Sequence, residues 1–179
     1  MELQILDAIQ TIRTPILDRL MCFITSLGSA GRVWILLAVI LLIRPKTRKS
    51  GAIILTALVF DLILCNGILK NLVGRTRPFD VNTSVSILIN KPRDFSFPSG
   101  HTAVSFAAVA ALFFSGEKKL WKISLVAAVL IAFSRLYLYV HYPTDILGGI
   151  VVGILAGYIG YRVVDWLQTS ILHRADQVQ

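Results

Sequence analysis

Strong cations, two histidines and a carboxylate are grouped in three short clusters of an otherwise apolar chain of 179 residues. The clusters are Lys70 with Arg77-Pro78, then Pro98-Ser99-Gly100-His101, and then Ser134-Arg135 with His141 and Asp145. The chain has only three histidines, and two of them lie in these clusters. Charged side chains at membrane depth are costly and usually functional, so the clusters predict one site that binds an anion.

The first chemistry that these residues suit is the binding of phosphate. Lys70, Arg77 and Arg135 supply positive charge. The planar guanidinium of arginine matches the oxygens of a phosphate, while lysine acts as a mobile point charge. Gly100 lets the backbone approach an anion closely, and with Ser99 it opens a helix whose free amides and dipole favour a phosphate. These five residues predict a phosphate cradle.

The two histidines add the groups that phosphoryl transfer needs. His141 and Asp145 are four residues apart, so they face the same side at the start of a helix. The carboxylate can hold one imidazole nitrogen protonated, which leaves the other nitrogen free to attack. His101 is then available to protonate a leaving oxygen. The pattern predicts a nucleophile, an orienting carboxylate and a general acid.

Each of these residues also has an ordinary structural interpretation. A histidine at a helix end is commonly structural, and Lys70 or Arg77 alone suits an anchor at the membrane interface. Asp145 alone suits an acid that caps a helix N-terminus. Their joint occurrence on one face favours a functional site.

The three clusters resemble the signature motifs of the type 2 phosphatidic acid phosphatase (PAP2) superfamily. The resemblance covers Lys70 to Asp145, and every motif position is filled in order with the spacing of the family. It implies a six-helix membrane phosphatase that works in two steps without a metal or other cofactor. No pair of nearby carboxylates suggests a Mg²⁺ site, which agrees with that chemistry.

The resemblance also implies a role for each motif residue. His141 attacks phosphorus to give a phosphohistidine, and Asp145 orients it. His101 protonates the departing group and then activates water for the second step. The residues implied to hold the phosphoryl oxygens are Lys70, Arg77, Ser99, Gly100 and Arg135.

Two other interpretations fit part of the pattern. Vanadium haloperoxidases carry the same motifs, but they are large soluble proteins, whereas this chain is small and apolar. A non-catalytic protein that binds or transports a lipid phosphate is the alternative from a different class, since Asp61 and Asn66 suit a polar pathway inside an apolar segment. A carrier has no need of two histidines and an orienting carboxylate, so the enzyme is favoured.

Composition indicates one integral-membrane domain that spans residues 1–179. The chain is 55% hydrophobic and 16% charged, with a mean hydropathy of +0.72, whereas a soluble domain carries roughly 25% charged residues. The net charge of +8 does not indicate nucleic-acid binding, because the cations lie between apolar runs rather than on a basic face with aromatics.

Apolar segments predict an all-α fold of six membrane helices behind a short interfacial helix at the N-terminus. The segments run over residues 16–27, 33–43, 51–69, 101–114, 121–140 and 146–167. A polar stretch from Val73 to Phe97 is expected to form a loop that shapes the entrance to the site.

The distribution of cations predicts the orientation in the membrane. With six spans, eleven Lys and Arg residues fall on one side and seven on the other, and three of those seven belong to the clusters. The positive-inside rule then places both termini in the cytoplasm and the clusters on the outer face of the inner (plasma) membrane.

Two further expectations concern partners. Gly149, Gly153 and Gly157 are spaced by four, which suits close packing between helices of this chain or, alternatively, the interface of an oligomer. The outward site predicts a lipid phosphate or diphosphate as substrate. Undecaprenyl diphosphate is favoured by analogy within the family, and phosphatidylglycerol phosphate, phosphatidic acid and a lipid A phosphate are the alternatives.

Overall fold

The computed structural model describes residues 1–176, and all regular structure in that range is helical. This confirms the all-α prediction. The helices are α1 (Glu2–Gln10), α2 (Pro15–Gly28), α3 (Arg32–Ile43), α4 (Arg48–Asp61), α5 (Lys70–Val73), α6 (Pro78–Val81), α7 (Gly100–Phe114), α8 (Leu120–Tyr137) and α9 (Pro143–Asp176). A π-helical segment, Leu62–Leu69, joins α4 to α5. The polar stretch expected to be a loop contains the short helix α6, which begins at Pro78 because proline suits the first helical turn.

Within the described residues, four helical segments are long and apolar enough to cross a membrane: Pro15–Ile43, Pro45–Val81, Leu120–Tyr137 and Pro143–Ser170. A fifth, Gly100–Phe114, is apolar but shorter. The first segment is broken between α2 and α3, where Ala30 and Gly31 have φ values of 52° and 66°. The end of α2 lies beside Ile131 and His101, since a Cβ on Gly28 would be 2.8 Å and 3.0 Å from atoms of these residues.

The two ends of the bundle are marked by polar contacts. At one end, Lys49 of α4 pairs with Asp165 of α9 at 2.6 Å. Pro143 opens α9 at the other end, and the helix between it and Asp165 is about 33 Å long. That length is close to the ~30 Å hydrocarbon core of a bilayer. The helices therefore run between two polar ends separated by the thickness of a membrane.

The expectation that both termini lie on one face, opposite the site, is wrong. Glu2 of α1 accepts a hydrogen bond from the Thr144 amide at 3.0 Å and pairs with Arg75 at 2.5 Å, which places α1 at the same end as His141. The helix α9 leads away from that end. The expected six separate spans also do not appear, because α2 stays beside His101 and forms one apolar segment with α3.

The core is built on α7, which packs most extensively against α9. Alanines of α7 face the glycines of α9, so that the two backbones come close together. A Cβ on Gly153 would lie 2.4 Å from the carbonyl oxygen of Ala103, and one on Gly157 would lie 2.5 Å from Ala110 Cβ. A Cβ on Gly149 would meet the Ser99 carbonyl oxygen at 2.8 Å. The glycine face is therefore used for packing within the chain, which is the first of the two predicted roles.

Candidate active site

A cavity of about 760 Å³ contains most of the residues that the sequence singled out. Its lining includes His101, His141, Lys70, Arg77 and Arg135. Much of the remaining lining is aliphatic and includes Ile35, Leu55, Leu58, Val59, Leu62 and Val104. The three clusters meet there because Lys70, Gly100, Arg135 and Asp145 all lie near helix ends at the same end of the bundle.

Arg77 is the most extensively bonded cation of the cradle. Its Nε donates to the Asp94 carbonyl oxygen at 2.8 Å, and its two terminal nitrogens donate to Asp94 Oδ1 at 2.8 Å and to the Val140 carbonyl oxygen at 2.7 Å. One terminal nitrogen also lies 3.3 Å from His141 Nε2. Lys70 pairs with the other carboxylate oxygen of Asp94. Two cradle cations are thus bridged by one carboxylate from the loop.

Arg135 reaches the cavity from the last turns of α8. It is 3% exposed, and one terminal nitrogen donates to Thr25 Oγ1 at 2.5 Å. Its Nε has no hydrogen-bond partner among the described residues. Burying a donor without a hydrogen-bond partner costs free energy. An anion in the cavity that accepted a hydrogen bond from this Nε would remove that cost.

The N-terminus of α7 opens onto the same space. Gly100 and His101 line the cavity, and a Cβ on Gly100 would lie only 3.7 Å from Lys70 Nζ. Ser99 gives no side-chain cap, so the first amides of the helix have no partner inside it. Ser99 itself is fully buried and accepts a hydrogen bond from Thr102 Oγ1 at 3.0 Å. It is not among the cavity-lining residues, so its side chain lies behind the cradle.

The structure brings His141 and Asp145 together, as predicted. The two ring nitrogens of His141 face different groups. Nδ1 lies 3.5 Å from Asp145 Oδ2 but makes no hydrogen bond among the described residues, while Nε2 points toward Arg77. Burial lowers the pKa of His141 to about 3 against the opposing effect of Asp145, with Arg77 and Arg135 adding to the lowering. The imidazole is therefore neutral at ordinary pH, as a nucleophile requires.

Asp145 is held by a set of donors that the sequence motifs do not contain. Its Oδ1 accepts from Arg75 at 2.7 Å, and its Oδ2 accepts from Ser96 Oγ at 2.5 Å and from the Tyr142 amide at 2.9 Å. The Arg75 guanidinium also stacks on the Tyr142 ring at 3.8 Å. Asp145 is fully buried, and a buried carboxylate needs such partners.

His101 lines the same cavity as His141. Its Nε2 lies 3.4 Å from Ser29 Oγ, at the break between α2 and α3.

The π-helical segment places further polar groups on the cavity wall. Lys70 follows Asp61 by nine positions, which is about two and a half turns of an α-helix and would put the two residues on opposite faces.

A π-helix has roughly 4.4 residues per turn, so nine residues make about two turns and return to the same face. Asp61, Asn66 and Lys70 accordingly all line the cavity. Asp61 is 2% exposed, and its Oδ1 has no hydrogen-bond partner among the described residues. The two polar residues noted inside the apolar segment are thus part of the same cavity as the histidines.

The sequence placed Asp94 only in general terms, with Asp80, Lys91 and Arg93 as charged loop residues near the head group, and it missed Arg75 and Ser96 as members of the site. All three lie in or beside the stretch between α5 and α7, which has no periodicity to indicate contacts. Arg75 and Ser96 are themselves linked, since the Ser96 amide donates to the Arg75 carbonyl oxygen at 2.8 Å. The one available signal was the high density of charges in that stretch.

Comparison with known proteins gives the family. Residues 50–169 match the model of the PAP2 superfamily. An undecaprenyl-diphosphatase of Sulfolobus acidocaldarius is 31% identical over 162 residues, which cover 90% of this chain and 76% of that protein.

Two solved structures share the fold. The structure of Aquifex aeolicus LpxE has a TM-score of 0.78 and 30% identity, with 90% of this chain and 94% of that chain covered. A PAP2-type phosphatidylglycerolphosphate phosphatase from Bacillus subtilis has a TM-score of 0.71 and 31% identity, with coverages of 95% and 85%. With its apolar helices, its motifs and these likenesses, the chain belongs to the PAP2 superfamily, as a membrane-embedded phosphatase of that family.

Proposed function

We propose that the chain removes a terminal phosphate from a membrane lipid through a phosphohistidine on His141, and that undecaprenyl diphosphate is its substrate. The observation that carries the proposal is one cavity whose lining combines two histidines and three cations with several aliphatic side chains. Such a space suits a molecule with an anionic head and a long apolar chain. The relative named as an undecaprenyl-diphosphatase supports the choice of lipid.

The first chemical step forms a bond between His141 Nε2 and the terminal phosphorus. Nε2 is the ring nitrogen that faces Arg77, while Nδ1 faces Asp145. As the new N–P bond forms, the bond between phosphorus and the bridging oxygen breaks. His101 donates a proton to that oxygen, and the lipid monophosphate leaves.

The second step hydrolyses the phosphohistidine. His101 takes a proton from water, the water oxygen bonds to phosphorus, and the N–P bond breaks to release inorganic phosphate and neutral His141. In both steps Lys70, Arg77, Arg135 and the first amides of α7 offset the charge that builds on the phosphoryl oxygens. Fixed charges of this kind are usually the largest source of rate enhancement.

The aliphatic part of the cavity lining is the proposed place of the lipid chain. Its lining includes Val59 and Leu62 of α4 and the segment that follows it, and these side chains are 56% and 61% exposed on the outer surface of the helix. The cavity thus adjoins a surface that faces lipid in a membrane. A prenyl or acyl chain lying there keeps its contact with the bilayer while the head group reaches His141.

The site is proposed to face away from the cytoplasm. Eight cations lie at the end of the bundle opposite the site: Arg44, Lys46, Arg48, Lys49, Lys118, Lys119, Lys122 and Arg162. Arg13 and Arg19, which the sequence count put with them, lie at the site's end. The positive-inside rule favours a cytoplasmic position for that end, and α1 then lies outside. In intact cells, a membrane-impermeant thiol reagent is expected to label a Ser84→Cys variant and to leave a Lys46→Cys variant unlabelled. The reverse pattern would invert the proposed orientation.

The substrate is tested by phosphate release from a panel of lipids with the detergent-solubilised protein. We expect the highest kcat/KM on undecaprenyl diphosphate and loss of all release in His141→Ala. Phosphatidylglycerol phosphate, the substrate named for the B. subtilis structure, phosphatidic acid and a lipid A phosphate are the competing arms. Release of phosphate from one of these lipids, with no release from undecaprenyl diphosphate, would contradict the proposed substrate. Binding without release from any of them favours a carrier.

A further inference from the structure

Asp94 occupies a place that the proposed mechanism gives to the phosphoryl group. Its Oδ2 pairs with Lys70 Nζ, and its Oδ1 accepts from Arg77 at 2.8 Å. We propose that Asp94 competes with phosphate for Lys70 and Arg77: its carboxylate leaves the two cations when the phosphoryl group binds and returns to them when inorganic phosphate departs. This inference rests on the proposed function, because it assumes that phosphate binds at these cations.

Burial decides which partner moves. The side chains of Lys70 and Arg77 are 8% and 3% exposed, whereas the side chain of Asp94 is 50% exposed. If Lys70 or Arg77 moved away from Asp94 but stayed buried, no water would solvate the charge in place of the carboxylate, and a buried unpaired charge costs free energy. The carboxylate can turn outward into water at little cost. Asp94 is therefore the exchangeable member of the cluster.

The exchange requires no opening of the loop. Arg77 is also bonded to three backbone carbonyl oxygens: Asp94 at 2.8 Å, Phe95 at 3.3 Å and Val140 at 2.7 Å. These bonds hold the guanidinium and the loop backbone together regardless of the Asp94 side chain. Rotation about the side-chain bonds of Asp94 is then enough to free one terminal N–H group of Arg77 and the ammonium group of Lys70.

Charge sets the direction of the exchange. A carboxylate carries one negative charge, and a terminal phosphate carries about two at neutral pH, so the two cations attract the phosphate more strongly. The carboxylate is attached to the chain, so it returns without the loss of translational freedom that a free anion pays. Asp94 thus weakens the binding of substrate and of product alike, and it assists the departure of inorganic phosphate after each turnover.

The carboxylate is charged throughout the working pH range. Partial burial raises the pKa of Asp94, but hydrogen bonds and charge from Lys70 and Arg77 outweigh this and lower it to about 2. A carboxyl with a lowered pKa is ionised at every pH above that value. The competition is expected to be the same at pH 6 and pH 8 once the charge state of the phosphate is taken into account.

The experiment compares inorganic phosphate as a product inhibitor of the wild-type protein and of Asp94→Asn, which removes the charge and keeps the size. We expect the inhibition constant of phosphate to fall about tenfold in Asp94→Asn, with KM for the lipid falling by a similar factor. Asp94→Ser is expected to act in the same direction. The matched control is Asp80→Asn, because Asp80 is an exposed carboxylate of the same loop region and its substitution changes both constants less than twofold.

Weaker or unchanged phosphate binding in Asp94→Asn and Asp94→Ser overturns the inference, since Asp94 would then hold the cations in place rather than compete for them. An equal effect of Asp80→Asn also overturns it, because the cause would be net charge and not contact. If the wild-type protein neither turns over lipid phosphates nor binds inorganic phosphate, the proposed function fails and this inference fails with it.

Discussion

Arg75 donates a hydrogen bond to Asp145 Oδ1 at 2.7 Å, on the side of the carboxylate away from His141. Arg75 is in turn paired with Glu2 of α1 at 2.5 Å and bonded to Thr144 Oγ1 at 2.6 Å. The N-terminal helix, the loop and the start of α9 are thus tied to the residue that orients the proposed nucleophile. Groups that orient a catalytic residue commonly matter nearly as much as the residue itself.

Replacing Arg75 with glutamine is expected to lower kcat by roughly 10–100-fold with little change in KM. Arg75 fixes the position of Asp145 and does not contact the lipid, so the loss falls on the chemical step. Arg75→Lys, which keeps the charge, should recover part of the rate. Initial-rate kinetics over a range of substrate concentrations separate the two constants.

Glu2→Gln is the control for Arg75, because it weakens only the outer contact of the guanidinium. We expect it to change kcat less than threefold, within the range of a half-exposed ion pair. A rate in Arg75→Gln equal to that in Glu2→Gln contradicts a positioning role for Arg75.

Gly153 is expected to tolerate no side chain. A Cβ there would lie 2.4 Å from the Ala103 carbonyl oxygen and 2.9 Å from Phe106 Cβ, and overpacking of this kind typically costs about 1–3 kcal/mol. Thermal unfolding in detergent should show a lower midpoint for Gly153→Ala than for the wild type. Gly67→Ala is the matched control, since its nearest neighbour lies 3.8 Å away, and its midpoint should be unchanged or higher. Equal midpoints for the two variants would refute the close packing of α7 on α9.

The buried carboxyl group of Asp61 is expected to lower the stability of the folded protein against unfolding. It is buried, and its Oδ1 has no partner among the described residues; an unsatisfied buried group costs roughly 1–3 kcal/mol. Asp61→Leu should therefore raise the unfolding midpoint in detergent. Asp61→Asn, which keeps a polar group in the same place, should raise it less. A large drop in both variants would mean that the carboxyl has a stabilising partner.

The neutral state of His141 can be observed directly. Because burial lowers its pKa to about 3, the imidazole is uncharged above that pH and should not titrate between pH 5 and pH 8. Nuclear magnetic resonance of protein with isotope-labelled histidine measures this, and His141→Gln identifies the signal. An inflection near the ordinary histidine pKa of about 6.5 would show that His141 gains a proton in the working range.

Much of the site follows from the sequence because its members lie at helix ends. Lys70 follows a long apolar run, Gly100 opens another, Arg135 lies near the end of a third and Asp145 begins the last. Antiparallel helices that cross a membrane bring alternate ends to one surface, so the order of apolar runs was enough to predict that these residues meet. The all-helical fold followed from the same runs.

The parts that the sequence did not predict depend on loop contacts and on local breaks in helices. Asp94 reaches Lys70 across 24 positions, and no periodicity marks such a pair. The sequence indicated a tight turn at Gly28 to Gly31, so the apolar runs on either side were interpreted as two crossings. The structure has a break there, with a positive φ at Ala30 that is rare for alanine, but the end of α2 lies beside His101. The π-helical segment turns Asp61 toward the cavity, and its sequence has no feature that separates it from an α-helix.

The proposed mechanism depends most directly on His141 as the nucleophile. The measurement is rapid quenching of the enzyme with substrate labelled in its terminal phosphate, followed by detection of acid-labile, base-stable phosphate on the protein. We expect the label on the wild type, a larger amount on His101→Asn if the loss of that histidine slows hydrolysis more than transfer, and none on His141→Asn. Labelled protein in the His141→Asn variant, or release of phosphate by that variant at the wild-type rate, would contradict the account.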